Sequence, residues 1–274
     1  MSKGYIKFWG VRGSNPAPDK DKIKYGGDTS CVEVRSSKND VIILDMGSGL
    51  RNLGIKILSD PTYPKVINIF ISHFHWDHVM GFLYFTPLYD ESFTFNIYGN
   101  NKHTSTSSFS KKILDPGLWP VSIDMLKAKI NFYDLDGADL SLSATTNISY
   151  TNHTHPNGAT SYRINMEENS VTYTTDCEHP KGTLNKNVLS IAKNTDYLIH
   201  DCHFSKKDLE LHKGWGHSCW EDAANVAIKT QAKNLILFHY SPTYTDIEVA
   251  ELEKNALSKF PNTRASKQGL KINL

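Results

Sequence analysis

Residues 72–82 read SHFHWDHVMGF. Three histidines and an aspartate, His73, His75, Asp77 and His78, fall within six positions, directly after the apolar run INIFI. One reading is a polar loop that happens to be rich in histidine; the other is a metal site. On a strand, residues two apart point the same way. If the extended run continues to His73, then His73 and His75 project together and can bind one ion. Asp77 and His78 then fall in the turn that follows and can reach a second. Imidazole and carboxylate suit zinc, and also manganese or iron. A lone HxH is a weak signal. HxHxDH at a strand end, followed by an apolar VMGFLYF able to start a helix, is a strong one.

Further ligand types terminate other apolar runs. NISYTNHTHPNG carries His153 and His155 just past a strand, VTYTTDCEH ends one at Asp176, and NLILFHYSP ends one at His239. Taken singly, a strand-end polar residue usually meets solvent. Together with the HxHxDH cluster, these residues favour a shared metal centre.

The rest of the chain supplies a frame. About eleven runs rich in Ile, Val, Tyr, Phe and Thr, bounded by Gly, Asn, Asp and Pro, read as strands. They are YIKFWG, CVEVRS, DVIILD, VINIFIS, FTFNIYG, KINFYDL, NISYTN, SYRINM, VTYTTD, DYLIHD and NLILFH. Helix-type spacing recurs in SGLRNLGIKILSD, in SCWEDAANVAIKTQ with Ser218 as a cap, and in TDIEVAELEKNALSKF with Thr245 or Asp246 as a cap. Two packed sheets with helices outside follow. The Ser/Thr/Lys stretch 101–112 reads as the loosest region, a loop or insertion.

Composition narrows the function classes. The chain has 274 residues, 39% hydrophobic and 22% charged, and its 30 basic and 29 acidic residues leave a net charge of +1. That balance argues against a large electrostatic footprint for nucleic acid but leaves room for a short anionic substrate. The four cysteines, Cys31, Cys177, Cys202 and Cys219, form no CxxC pair and read as free thiols of a reducing compartment. The opening MSKGYIKFWG has no apolar leader, and no apolar stretch reaches membrane-spanning length. A cytoplasmic protein with no membrane partner is expected, built as one domain over residues 1–274.

The order of motifs resembles the metallo-β-lactamase-fold hydrolases, and within them the ribonuclease Z-like phosphodiesterases. The matching elements are LDMGSG with Asp45, SHFHWDH, HPNGA with His155, TTDCE with Asp176, LIHDC with Asp201, GWGHS with His217 and FHYSP with His239. The opening FWGVRGSNPAP and YGGDTSCVEV look like the bacterial branch described as cyclic-nucleotide phosphodiesterase-like. The resemblance spans nearly the whole chain. It implies an αββα four-layer sandwich of two mixed sheets flanked by helices. It implies two divalent metals, zinc in the first instance with manganese or iron as alternatives: one held by His73, His75 and His155, the other by Asp77, His78 and His239, with Asp176 bridging. Water or hydroxide between the ions would be the nucleophile, with Asp77, His217 and Asp201 as the catalytic residues, Asp201 assisting His217 as proton donor and charge stabiliser. The implied reaction is hydrolysis of a small cyclic nucleotide to the linear monophosphate, by a homodimer.

Where the chain departs from the family, two points stand. HTHP sets His153 against His155, and His155 is favoured because it precedes the matching PNGA. Asp201 stands where ribonuclease Z tends to have glutamate, which fits the cyclic-nucleotide-like branch. Asp45 reads as a residue that orients ligand histidines. Gly26, Gly27, Gly47 and Gly49 read as turn formers, and Trp76 as a packing residue. Trp119 and Trp215 can stack a base, though packing is the commoner use of such residues. His179, His200, His203 and His212 receive no ligand role, and Cys177 and Cys202 are expected to point away from the metals. The first alternative activity is tRNA 3′-processing. It ordinarily calls for a long Gly- and basic-rich arm, absent from this sequence, so structured RNA is the less favoured substrate. A thioester or lactam hydrolase is disfavoured by the histidine of GWGHS, a di-iron redox protein by the intact His75, and a non-catalytic binder by the full set of ligand-type residues.

Overall fold

β-Branched and aromatic residues alternate along the strands so that each strand offers an apolar row to either side. In the computed structural model, which describes residues 4–99 and 105–274, these strands form two seven-stranded sheets. The first contains Tyr5–Gly10 (β1), Cys31–Arg35 (β2), Val41–Leu44 (β3), Val66–Ile71 (β4), Thr94–Gly99 (β5) and Lys129–Asp134 (β6). The second contains Leu140–Ser141 (β7), Asn147–His153 (β8), Ala159–Asn165 (β9), Ser170–Thr174 (β10), Tyr197–Asp201 (β11), Asn234–Phe238 (β12) and Thr263–Ala265 (β13). Lys271–Asn273 (β14) returns to the first. The strand orders are β14-β1-β2-β3-β4-β5-β6 and β13-β12-β11-β10-β9-β8-β7.

Each sheet is antiparallel at one end and parallel at the other. β3 to β6 are parallel in the first, and β10 to β13 in the second. All eleven sequence-expected strands are present; β7, β13 and β14 are too short for a periodicity to register.

Inward and outward rows fill different cores. Ile42, Leu44 and Phe70 of the first sheet pack with Ile164, Val171 and Tyr173 of the second. The outward Val41, Ile43, Ile67, Ile69 and Ile71 are covered by Leu50, Leu53 and Ile57 of Leu50–Leu58 (α1) and by Phe109 and Ile113 of Thr106–Ile113 (α3). The second sheet is covered by Trp220–Thr230 (α4) and Asp246–Lys259 (α5), whose Ala223, Ala227, Val249 and Leu252 are buried. The result is the expected helix–sheet–sheet–helix sandwich. The two inner faces share one core, with apolar burial as the main favourable term.

Some local expectations differ. The α4 helix is capped by Cys219, not Ser218, because Ser218 is committed elsewhere: its hydroxyl donates to the Cys177 carbonyl and its N–H to Asp201. Thr245 caps α5 in a reciprocal box with Glu248. The stretch 101–112 is not a loop throughout. Ser105 caps α3, and Thr106 donates its N–H and hydroxyl to Asp134; residues 101–104 lie outside the described residues. Within the HxHxDH motif one turn of α-helix forms, Trp76–Val79 (α2), and the apolar stretch that follows tightens into 3-10 turns. At Gly81 this stretch meets the 45–49 loop. A Cβ there would stand 2.0 Å from the Gly47 carbonyl oxygen, so the two segments touch backbone to backbone and cannot be spaced by side chains.

Candidate metal centre

The parallel strands of both sheets deliver their C-terminal ends to one place. β3 runs into Asp45, β4 into His73, β10 into Asp176, β11 ends on Asp201 and β12 runs into His239. Open sheets build sites at such ends because several loops converge there. Asp45, Asp176 and His239 each have positive φ, at 63°, 52° and 65°. These left-handed turns at three strand ends are costly for residues other than glycine and mark a functional site.

Asp176 organises the imidazoles. Its Oδ2 lies 3.1 Å from Nε2 of His78 and 3.2 Å from Nε2 of His239. Its Oδ1 faces His155 at 3.7 Å, His217 at 3.8 Å and His73 at 3.9 Å. On the first side, His73, His75 and His155 bring donor atoms within 4.8 Å of one another, with Nδ1 of His75 3.0 Å from Nε2 of His155. On the second side, the Nε2 atoms of His78 and His239 are 3.2 Å apart, and each is 3.2 Å from Oδ2 of Asp77. All seven residues proposed from the sequence therefore meet at one centre.

Buried partners fix which nitrogen faces inward. Asp45 holds Nδ1 of His78 at 2.8 Å. Nδ1 of His73 meets the Ser72 hydroxyl at 3.1 Å, and that hydroxyl donates to Asp45. Nδ1 of His155 donates to the Gly216 carbonyl at 3.0 Å. In each case Nδ1 is engaged by an outer partner and Nε2 is left to face the centre, the arrangement metal-binding histidines show.

The donor set fits cations. Asp45, Asp77, Asp176 and Asp201 are all buried, and buried carboxylates need compensating charge. Burial works to raise the Asp77 and Asp176 carboxyls, but the neighbouring imidazoles outweigh it and hold both well below the usual carboxylate range. Burial likewise opposes charge on His239, yet Asp176, Asp201 and Asp77 push it up to about 10. Nε2 of His73 is buried, aimed into the centre and without a hydrogen-bond partner. Side chains so arranged can hold a metal.

The remaining sequence expectations sort clearly. His153 lies under the Asp176 turn. Its Nε2 faces the carbonyls of Thr175 and Asp176 at 3.0 and 3.1 Å, and its Nδ1 faces the Ser161 hydroxyl. His155, not His153, reaches the centre. Nδ1 of His217 is 3.1 Å from Oδ2 of Asp201. Asp201 also lies 3.4 Å from Nδ1 of His239 and accepts the N–H groups of Asp176, His203 and Ser218. It therefore braces the whole strand-end cluster, a wider role than the single pairing expected.

Trp76 is not a packing residue. It is 53% exposed, and Trp215 is 59% exposed, whereas Trp119 packs edge-on against Tyr84. His203, given no role from the sequence, stacks on His217 with ring centres 4.0 Å apart and donates through Nδ1 to the His239 carbonyl at 2.9 Å. Its only signal was its place two residues after Asp201.

Cys177, His179 and His200 form a separate group of potential donors. Its chemistry is short of one ligand. The Asn185 N–H donates to Nδ1 of His179, which puts the ring proton on Nε2 and removes the lone pair a metal needs there. A cavity of about 530 Å³ lies alongside, bordered by Glu178, His179, Asp222 and His217 but by none of the seven candidate ligands.

The fold and the chain both have relatives. The metallo-β-lactamase-fold protein YhfI from Bacillus subtilis superposes with a TM-score of 0.75 at 20% identity, over the full length of both chains. The short form of human tRNase Z superposes at 0.71 and 17%, over 98% of each. Among curated sequences, ribonuclease Z of Picrophilus torridus is 26% identical over 318 residues, taking in 98% of this chain and 95% of that protein. Ribonuclease Z of Enterococcus faecalis is 38% identical over 82 residues, about a quarter of its length (26%). These likenesses place the chain on the metallo-β-lactamase fold. A family model described as Anti-Pycsar protein Apyc1 matches residues 32–261, and the chain belongs to that family.

Proposed function

We propose that this protein is a dinuclear metal-dependent phosphodiesterase that opens a small cyclic nucleotide to the linear monophosphate. The observation that carries the reading is the division of labour at Asp176. One oxygen faces His78 and His239, and the other faces His73, His155 and the His217–Asp201 pair. One metal would be held by His73, His75 and His155, the other by Asp77, His78 and His239, with Asp176 shared. When bound, such ions activate a water and neutralise charge on the attacking and leaving oxygens; zinc suits the donors best.

The chain's own groups do the rest. Asp77, kept ionised by the neighbouring imidazoles, orients the attacking water, whose proton leaves to solvent. His217, with Nδ1–H turned to Asp201, carries a second proton on Nε2 and delivers it to the leaving alkoxide as the phosphorus–oxygen ring bond breaks. Water is consumed, one ester bond is lost, and a proton from solvent restores His217. The cyclic-nucleotide preference is supported by the family match, by the resemblance of the opening residues, and by a net charge of +1 that gives little grip on a long polyanion.

A ribonuclease Z-type reaction is the second reading, favoured by the near full-length likeness to the Picrophilus torridus enzyme. A panel of cyclic mononucleotides and dinucleotides, with precursor tRNA alongside and products resolved by chromatography, separates the two. Faster cleavage of precursor tRNA than of every cyclic nucleotide would put the second reading first. Also part of the proposal are a single domain over residues 1–274, supported by the core the sheets share, a homodimer, and a cytoplasmic setting. Free buried cysteines support that setting, and no helix among the described residues is long and apolar enough to cross a membrane.

A further inference from the structure

His217 stands on a loop that has little reason of its own to hold still. Gly214 and Gly216 both have φ of +88°, and Trp215 between them is 59% exposed, tied to the same stretch of chain through His212 and Phe204. The loop nonetheless comes to contact distance of the centre: a Cβ on Gly216 would stand 2.0 Å from Nδ1 of His155. A backbone drawn in that closely needs an anchor.

Glu178 provides it. Its Oε1 accepts the Gly214 N–H at 2.9 Å and its Oε2 accepts the Gly216 N–H at 2.8 Å. Its own N–H donates to the carbonyl of Thr154 at 2.9 Å, between His153 and His155. Glu178 follows Asp176 by two residues, so one side chain ties together the segments that carry Asp176, His155 and His217. The tie is also relayed, because the Gly216 carbonyl that Glu178 helps to place is the acceptor for Nδ1 of His155. A carboxylate taking two backbone N–H groups makes charge-assisted bonds stronger than neutral ones.

We propose that Glu178 is a positioning residue: it clamps the 214–217 loop so that His217 meets Asp201 and the reacting phosphoryl group, and so that His155 keeps its metal-facing tautomer. Glu178 closes the TTDCE motif, but the sequence gives it no role. Its carboxylate oxygens are spent on the two glycine N–H groups, not on a candidate metal ligand. The catalytic consequence rests on the function proposed above; the clamp itself does not.

The test uses Glu178→Gln, in which an amide NH₂ replaces one acceptor oxygen, and Glu178→Asp, which keeps both acceptors on a shorter stem. First, amide hydrogen exchange is followed at residues 214–217 in the metal-loaded protein. Exchange at Gly214 and Gly216 about tenfold faster or more in Glu178→Gln, with β10 and β11 unchanged, is the expected result. Unchanged exchange at both glycines overturns the clamp. This readout needs no substrate, so it stands even if cyclic nucleotides prove not to be hydrolysed.

Second, turnover is compared on a cyclic nucleotide and on bis-p-nitrophenyl phosphate. Removing an outer partner of this kind costs about 10–100-fold. Glu178→Gln should lose that much kcat on the cyclic nucleotide and about threefold or less on the aryl ester, whose leaving group needs little protonation. Glu178→Asp should recover part of the loss. Equal losses on both substrates mean a merely structural role and overturn the positioning of His217.

Discussion

Oδ2 of Asp45 lies 2.8 Å from Nδ1 of His78 and thereby turns Nε2 of that imidazole toward Asp77, Asp176 and His239. Asp45 is wholly buried and also accepts the N–H and hydroxyl of Ser72 and the hydroxyl of Tyr173. Asn at this position keeps the shape but gives up one acceptor. Asp45→Asn should weaken metal binding by about 10–100-fold without removing any direct ligand. Competition against a chromophoric chelator measures this, and wild-type affinity would mean that Asp45 does not act through His78.

Asp176 lies between two groups of imidazoles, and on the dinuclear proposal it is the negative charge between two cations. At short range their repulsion is large. Asp176→Ala should lose measurable turnover and retain about one metal ion or fewer per chain. Two ions per chain by elemental analysis, with a near-normal rate, would remove Asp176 from the shared position.

His217 and Asp201 separate by the number of partners each has. His217→Ala should keep its metals and lose about 10²–10⁴-fold in turnover, with a smaller loss on bis-p-nitrophenyl phosphate. Asp201 also holds His239 and three backbone N–H groups. Asp201→Asn should therefore lower metal occupancy as well as rate, which elemental analysis of the two variants side by side will reveal.

His179 gives a pH dependence of stability. Burial, aided by the neighbouring His200, lowers its ring to about 3 from the ordinary 6.5. The unfolded chain takes up this proton as pH falls below about 6.5, and the folded chain does not until about pH 3. The stability tied to His179 is thus complete above pH 6.5 and is lost as pH falls. At pH 5 the loss is about 2 kcal/mol. Between pH 8 and pH 5, His179→Gln should lose about 2 kcal/mol less unfolding free energy than wild type, read from denaturant titrations. Parallel losses would show that His179 is charged in the folded protein.

The sequence alone carried the strands and the order of site motifs. Strand periodicity is local, and an apolar row of five or six residues cut short by a single His or Asp reads the same wherever the strand later sits. The ligand types were legible for the same reason: HxHxDH fixes four of them by spacing, Asp176 and His239 each follow a strand-type run, and His155 precedes PNGA. Tertiary structure decided what depends on a neighbour from another part of the chain. His153 ends β8 and His155 lies two positions further, in the bend that follows. Only the Asp176 turn, more than twenty residues later, takes one as a hydrogen-bond partner beneath it and leaves the other facing the centre. Likewise Glu178 closes the TTDCE motif with no visible role until the glycine loop at 214–216 folds over it. Hydrogen bonds across such separations leave no periodic trace in a sequence, because each partner's residue type is common and its distance along the chain is set by the fold.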